Sequence, residues 1–416
     1  MINEQLKRII VSRILRYQLD QCDISQIQLA NQLKKSRQNL NQIFKGKISI
    51  YPRTINQILQ ELGVNDKFFD NDEKYEELCN LLNVCLKEFY CCEFDKCLNH
   101  INEIENLSYK YSYFTPKRII ALAVKYSIVE DYDGLFECIS VLENYFSDVL
   151  DNESEIAYLI LASDYEIENG DFESALKHLD KASKISTLLY DATGMIYMFI
   201  GMIHFWRWQP IQAIVNDNKA ISFFERTSNF YRLVAVFNNI GACYVQLKEF
   251  DIAESYFLQS VNRSKQIGRE KTLIGAYSNL ANMYRQSKRY EESIEYGKMT
   301  LSKSRNNVSA MLSVAWSSFY LNDLKTASDY KKMIIPFIHE GNRRNLFIEL
   351  LDLYINQKEI EAKISKLEEM VYLFDKDGDR NNMMFCAEML LDELEKTQDY
   401  KKLYKYQKTV LNVYHY

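Results

Sequence analysis

The sequence is poor in the residues that interrupt helices. Its 416 residues include 12 glycines and 4 prolines, and both residue types mark turns or break regular structure. Hydrophobic residues make up 47% of the chain and charged residues 26%, which is enough apolar material for a core and excludes the disordered class. These proportions predict an all-α protein with short loops. The length exceeds a single ordinary core and favours several domains or a repeat array.

Long apolar runs are also missing. No window reaches the roughly 18 consecutive apolar residues of a membrane-spanning helix, and basic residues interrupt the apolar positions of the N-terminal stretch, unlike those of a signal peptide. The nine cysteines are odd in number and have no CxxC spacing, which favours free thiols in a reducing compartment. We therefore expect a cytoplasmic protein.

Motifs of catalysis are absent from the sequence. The five histidines are far apart, and there is no glycine-rich phosphate loop, no GxSxG and no HExxH. We expect a protein that is not an enzyme and has no cofactor and no metal site.

Charge is divided unevenly along the chain. Residues 1–65 hold ten Lys or Arg against four acids, a net charge of +6. The remaining residues carry a net charge of −12, so the whole chain has −6. A basic head followed by an acidic body is expected when only the head meets a polyanion.

Four or five short amphipathic helices are predicted in the head, residues 1–70, and four of them have clear limits. Apolar residues recur at helical spacing in each, and serine or proline marks the starts. The predicted limits are Glu4 to Asp20, a Ser25 cap to Leu33, a Ser36 cap to Gly46, and Pro52 to Gly63. The short turn between the second and third helices predicts a helix-turn-helix, whose second helix can enter the major groove of DNA.

The stretch SQIQLANQLKKSRQNLNQIFKGK resembles the repressor-type helix-turn-helix domain of bacterial and phage regulators. One departure is Lys34, which stands where that family usually has glycine. On the third helix Leu40, Ile43 and Phe44 share one face and polar residues share the other. Arg pairs with guanine, and Asn or Gln with adenine, while Lys and Arg neutralise phosphates. The DNA-binding residues predicted on this basis are Gln26, Lys34, Lys35, Ser36, Arg37, Gln38, Asn41, Gln42, Lys45, Lys47 and Arg53.

A repeat occupies residues 71–416. An aromatic residue after a polar turn and before an amphipathic helix recurs, and adjacent copies are 34 to 40 residues apart. The members are Phe172, Phe250, Tyr290 and Tyr400, with weaker equivalents at Phe94, Tyr132 and Leu324. The segment with Phe237, Gly241, Tyr244, Ala253 and Phe257 resembles the tetratricopeptide pattern. About nine helical hairpins forming a right-handed α-solenoid are expected, with the first helix of each pair on the concave side.

The motifs FNNIGACY and YSNLANMY place Asn239 and Asn279 at equivalent positions of two first helices. Peptide-binding tetratricopeptide proteins use such an Asn to hold a peptide backbone, because its amide is both donor and acceptor. The alternative is that these amides only bridge neighbouring helices. The predicted peptide-binding residues are Asn238, Asn239, Gln246, Asn279, Asn282, Arg285 and Gln286.

The order of head and repeats resembles the RRNPP family, the peptide-pheromone receptors of Gram-positive bacteria and their phages. This resemblance implies a homodimeric transcription regulator whose binding to an operator in double-stranded DNA is controlled by a short signalling peptide, without a membrane partner. Two alternatives remain: a tetratricopeptide scaffold whose head binds protein, and a phosphatase or inhibitor directed at a response regulator.

Overall fold

The computed structural model describes residues 2–22, 24–70, 72–185, 189–337 and 344–414. Within these ranges the chain is helical and has no strand, apart from one isolated bridge between Phe68 and Tyr111. It divides into two compact units, Met1–Phe199 and Ile200–Tyr416. None of the described helices is both long enough and apolar enough to cross a membrane. The prediction of an all-α fold is confirmed.

The first unit contains the four head helices and the first three helix pairs of the repeat. Its helices are α1 (Glu4–Asp20), α2 (Gln26–Gln32), α3 (Arg37–Phe44), α4 (Pro52–Glu61), α5 (Asp72–Tyr90), α6 (Phe94–Leu107), α7 (Thr115–Ile128), α8 (Tyr132–Val141), α9 (Asn152–Glu168) and α10 (Phe172–Ser183). The next helix, α11 (Tyr190–Trp206), contains the division between the units.

The second unit continues the repeat with the same alternation of helix and short turn. Its helices after α11 are α12 (Pro210–Thr227), α13 (Phe230–Gln246), α14 (Phe250–Ile267), α15 (Glu270–Gln286), α16 (Tyr290–Lys303), α17 (Val308–Tyr320), α18 (Leu324–Ile334), α19 (Arg344–Ile355), α20 (Ile360–Lys376), α21 (Arg380–Thr397) and α22 (Tyr400–Tyr414).

The head helices begin where the sequence predicts. The Ser25 side chain accepts from Gln28 N while the Gln28 side chain accepts from Ser25 N, which completes a capping box. Ser36 caps α3 by accepting from Asn39 N at 3.1 Å, and Pro52 is the first residue of α4. These bonds satisfy backbone donors that a helix start leaves open.

Nine helix pairs follow one another from α5 to α22 in the described residues. All seven aromatic or aliphatic positions predicted before a second helix are the first residue of one, so the predicted repeat is confirmed. The turn inside each pair contains one residue with positive φ, usually not glycine. These residues are Cys92, Glu130, Gly170, Trp208, Lys248, Lys288, Asn322, Gln357 and Gln398. The left-handed position thus recurs through the tetratricopeptide-like α-solenoid.

Gly241 makes the close contact between the two helices of one repeat. A Cβ atom there would lie 2.7 Å from the ring of Phe257, which is 2% exposed. Real Cβ atoms do not approach so closely, and a buried ring has little room to move. The small residue in the tetratricopeptide pattern is therefore required by packing between α13 and α14.

We expect opposite effects from alanine at two helical glycines. Gly241→Ala should lower the free energy of unfolding by about 1–3 kcal/mol, because overpacking outweighs the better helix propensity of alanine. Gly275→Ala, where a Cβ meets nothing within 4 Å, should raise it by about 0.5–1 kcal/mol. Thermal unfolding of both variants measures the pair. Equal changes in the unfolding temperature of the two variants would show that packing against Phe257 does not prevent a larger side chain at position 241.

Candidate nucleic-acid interface and candidate peptide groove

The third helix buries one face and exposes the other. Leu40, Ile43 and Phe44 are 0%, 3% and 8% exposed, as the sequence predicts. Arg37 and Gln38 occupy the first two positions of α3 and are exposed. The N-terminal end of a recognition helix is the part that reaches base edges. Both side chains are therefore available to a duplex laid against α3.

The other predicted DNA-binding residues surround these two. Four of them are half-buried, namely Gln26, Lys35, Asn41 and Gln42, and five are exposed, namely Lys34, Ser36, Lys45, Lys47 and Arg53. The structure places them on α2, α3, the turn between them and the segment up to the start of α4. The five Lys and Arg side chains among these nine residues supply positive charge for binding phosphates.

The turn between α2 and α3 has the geometry of a helix C-terminus closed by a left-handed residue. Lys34 has φ 50°, and Lys35 N donates to Ala30 O at 3.0 Å, which is the bond of a Schellman motif. Lysine at this position is strained, because a left-handed residue other than glycine costs about 1–2 kcal/mol.

We expect Lys34→Gly to stabilise the head by about 0.5–1 kcal/mol, since relief of strain exceeds the larger backbone entropy that glycine loses. Lys35→Gly is the matched control: it removes the same charge from a residue without positive φ and should destabilise. Thermal unfolding of the two variants distinguishes them. Destabilisation by Lys34→Gly would mean that the lysine side chain stabilises the head by more than its left-handed backbone conformation costs.

The head is fixed to the first repeats of its own unit through α1 and through the segment after α4. The Arg13 guanidinium forms an ion pair with Asp148, Tyr145 OH donates to Asp20 Oδ2 at 3.0 Å, and the Tyr17 and Tyr145 rings meet edge to face with centroids 5.2 Å apart.

After α4, Asp66 forms an ion pair with Lys110 at 3.1 Å, and the Phe69 and Tyr109 rings stack with centroids 3.9 Å apart. None of these contacts involves α3, so they leave its polar face uncovered.

In the repeats, the two equivalent Asn residues bond to neighbouring helices. Asn239 Nδ2 donates to Asp217 Oδ2 at 2.6 Å, and Asn279 Nδ2 donates to Asn238 Oδ1 at 3.4 Å. Bridging between helices, the alternative kept above, is therefore a role these amides have in this structure. Each amide still has a carbonyl oxygen that makes no bond among the described residues, which leaves an acceptor for a peptide N–H.

Asp217 is a functional candidate that the sequence analysis missed. It is fully buried on α12, and its Oδ1 has no hydrogen-bond partner among the described residues. Loss of solvent raises its pKa to about 8, although the bond from Asn239 works in the opposite direction. The carboxyl group is therefore mostly protonated at neutral pH. Its spacing from Ala213, Ala220 and Phe224 places it on the apolar stripe of α12, and this acid in an apolar position was the available signal.

Two of the other predicted groove residues, Gln246 and Arg285, contact α21. Gln246 is 4% exposed, and its Nε2 donates to Phe205 O at 3.2 Å and to Asn381 Oδ1 at 2.9 Å. Arg285 lies over the Phe385 ring at 4.7 Å and donates to Asn282 Oδ1 at 2.7 Å.

A peptide can bind to the Gln246 side chain only by replacing the two hydrogen bonds that its Nε2 atom donates to Phe205 and Asn381. Gln286 is half-buried at the end of α15. No local pattern in the sequence indicates that α21, more than 90 residues further along, contributes to this surface. In the described part of the chain, no three His, Cys, Asp or Glu side chains are grouped to hold a metal ion.

Comparisons with known proteins agree with this architecture. Residues 15–69 match the helix-turn-helix family HTH_3, and residues 232–306 match the tetratricopeptide repeat family TPR_12. Neither family is defined by catalysis. A comparison with curated protein sequences gives no match.

Three solved structures are similar in fold. A Rap protein complexed with competence and sporulation factor has a TM-score of 0.68 and 12% identity, covering 82% of this chain and 98% of that chain. NprR in complex with its cognate peptide NprX has a TM-score of 0.61 and 12% identity, covering 82% and 99%. Aspartyl phosphate phosphatase F from Bacillus subtilis has a TM-score of 0.52 and 12% identity, covering 82% and 94%. The chain thus joins a helix-turn-helix domain to tetratricopeptide repeats, in the order that the sequence predicts, on a fold shared with the Rap and NprR proteins.

Proposed function

We propose that the protein is a cytoplasmic, homodimeric transcription regulator that binds an operator through α3 and is controlled by a short peptide bound to its repeats. The observation that supports this most is the uncovered polar face of α3, with Arg37 and Gln38 at its start, on a head whose contacts with the first repeats described above come from α1 and from the segment after α4. Two heads in a dimer would read two half-sites and bind more tightly than one.

The repeats supply the second half of the proposal. Asn239 and Asn279 lie at equivalent positions on α13 and α15, and their amides match the alternating donors and acceptors of an extended peptide. NprR, similar in fold, is crystallised with its cognate peptide. A peptide controls DNA binding only by its difference in affinity between two states of the regulator.

Selection of duplexes from random DNA by the full-length protein tests the first half. We expect an enriched sequence with two related half-sites, bound with an affinity that falls steeply as salt rises. Recovery of DNA without any enriched sequence, or binding that does not change with salt, would contradict the proposal and favour a protein-binding head.

The second half is tested with linear seven-residue peptides recovered from a random synthetic library by the full-length protein. A recovered peptide should change operator affinity, and Asn239→Ala or Asn279→Ala should remove that change while the thermal unfolding of the peptide-free protein stays cooperative. Unchanged peptide affinity in both variants would remove the groove from the proposal.

The alternative of a phosphatase directed at a response regulator is supported by the similarity in fold to aspartyl phosphate phosphatase F. It predicts faster loss of the acyl phosphate from a phosphorylated receiver domain when this protein is added. An exposed α3 with an arginine at its start is not required by that activity, so we place DNA binding first.

A further inference from the structure

One patch between α15 and α21 contains a cation without a counter-charge. The Arg285 guanidinium donates one hydrogen bond, to Asn282 Oδ1 at 2.7 Å, and its carbon lies 4.7 Å from the centre of the Phe385 ring. Loss of solvent lowers its pKa below the ordinary value. Guanidinium has five N–H donors, so most of them are unused. A desolvated cation is costly unless an anion pairs with it.

A second unused donor lies beside it. Asn381 precedes Phe385 by one turn of α21, and its Oδ1 accepts from Gln246 Nε2 at 2.9 Å. This bond fixes the orientation of the amide. The Asn381 Nδ2 atom is buried and donates no hydrogen bond among the described residues. Because residues four apart on a helix are neighbours at about 6 Å, the Asn381 amide adjoins the Phe385 ring that Arg285 covers.

Neighbouring cations have carboxylate partners, and Arg285 does not. Arg289, in the turn between α15 and α16, bonds to Glu254 Oε2 at 2.6 Å and to Glu292 Oε1 at 2.9 Å. Lys248 bonds to Glu388 Oε2 at 2.6 Å across to α21. Within the described ranges, no carboxylate oxygen forms such a pair with Arg285. Two donors without acceptors on one patch are complementary to a carboxylate, which accepts through two oxygens.

We propose that Arg285 and Asn381 form a carboxylate subsite of the peptide groove. This inference rests on the proposed function, since it identifies the chemistry of the peptide that the repeats bind. Arg285 follows Asn279 by six residues of α15, which separates the two side chains by a rise of about 9 Å along the helix axis and by about 120° around it. The subsite therefore takes an anionic group away from the peptide unit held by Asn279, either a C-terminal carboxylate or an Asp or Glu side chain.

The probe is a set of linear seven-residue peptides with free termini, recovered by the full-length protein from a random synthetic library. Affinity is measured by calorimetry for the wild type and for Arg285→Gln, Arg285→Lys, Asn381→Asp and Arg289→Gln. The Arg289→Gln variant is the matched control, because it removes an arginine from the turn that directly follows α15, and carboxylates already bond to that arginine.

Arg285→Gln should weaken binding by at least tenfold, and Asn381→Asp should weaken it at least as much, because it puts a negative charge where the peptide carboxylate binds. Arg285→Lys should recover part of the loss, and Arg289→Gln should change affinity less than threefold. Thermal unfolding checks that each variant is folded. Should Arg285→Gln not fold, Asn381→Asp, which keeps the shape of the side chain, measures the same subsite.

Two peptide derivatives distinguish the sources of the carboxylate. If the C-terminal group is bound, its amide should bind the wild type as weakly as the free acid binds Arg285→Gln. If a side chain is bound, that loss should appear when Asp or Glu is replaced by Asn or Gln. Recovered peptides that bind wild type and Arg285→Gln equally would overturn the subsite and leave the proposed function standing. Recovery of no peptide would overturn the proposed function itself.

Discussion

Asp217→Asn should stabilise the protein at pH 8 and leave its stability near pH 4 almost unchanged. The carboxyl group is fully buried, accepts from Asn239 at Oδ2 and has an Oδ1 without a partner among the described residues. Asparagine keeps an acceptor for Asn239 and cannot ionise. The difference in free energy of unfolding between variant and wild type should therefore grow with pH, reaching about 3–5 kcal/mol at pH 8.

The sign of this pH dependence follows from the direction in which folding shifts the pKa of Asp217. Burial raises the pKa of Asp217 from 3.8 to about 8, so between these values the folded state holds a proton that the unfolded state has released. Stability from this group is complete below pH 4 and is lost as pH rises through 8. The Cys243 thiol, whose own pKa is raised by burial and then by Asp217, is the titratable neighbour, and it stays neutral in this range.

Thermal unfolding of the wild type and Asp217→Asn from pH 4 to pH 8 measures this difference. Asp251→Asn, an exposed acid at the start of α14, is the control and should follow the wild-type curve. Parallel curves for wild type and Asp217→Asn would mean that solvent reaches the carboxylate. Asp217→Leu, which offers Asn239 no acceptor, should destabilise at every pH because a buried amide donor loses its partner.

Features determined by residues close together in the sequence could be predicted, and contacts between distant residues could not. Serine caps, the proline at the start of α4 and the apolar spacing of Leu40 and Ile43 are local, and they predicted the head helices almost to the residue. The repeat turns were found where an aromatic begins the second helix. They were missed at Pro210 and Ile360, where the same left-handed geometry occurs with a different residue type.

Contacts across many residues were not predictable in the same way. Gln246 bonds to Asn381 over a separation of 135 residues, and no local pattern connects the two. The bond from Asn239 to Asp217 was also missed, since an acid within a helix usually indicates its solvent face. What revealed the contact was the three-dimensional packing of α12 against α13, in which the apolar stripe of α12 includes the carboxyl group.

The last expected result concerns the start of α3. Arg37→Ala and Gln38→Ala should each weaken binding to the selected operator by about 1–3 kcal/mol while leaving affinity for unrelated DNA nearly unchanged. Both side chains are exposed at the first two helical positions, directly after the Ser36 cap. Loss of a side chain that reads a base removes discrimination and leaves the phosphate contacts intact.

Two variants of the same head separate base contacts from charge. Lys47→Ala should weaken binding to all DNA sequences alike and reduce the slope of log affinity against log salt by about 1, because Lys47 is exposed beyond the end of α3. Gln60→Ala, exposed near the end of α4, should change neither affinity nor slope. Equal effects of Arg37→Ala on operator and unrelated DNA would place Arg37 on the backbone, and the absence of any effect from Arg37→Ala and Gln38→Ala would remove α3 as the recognition helix.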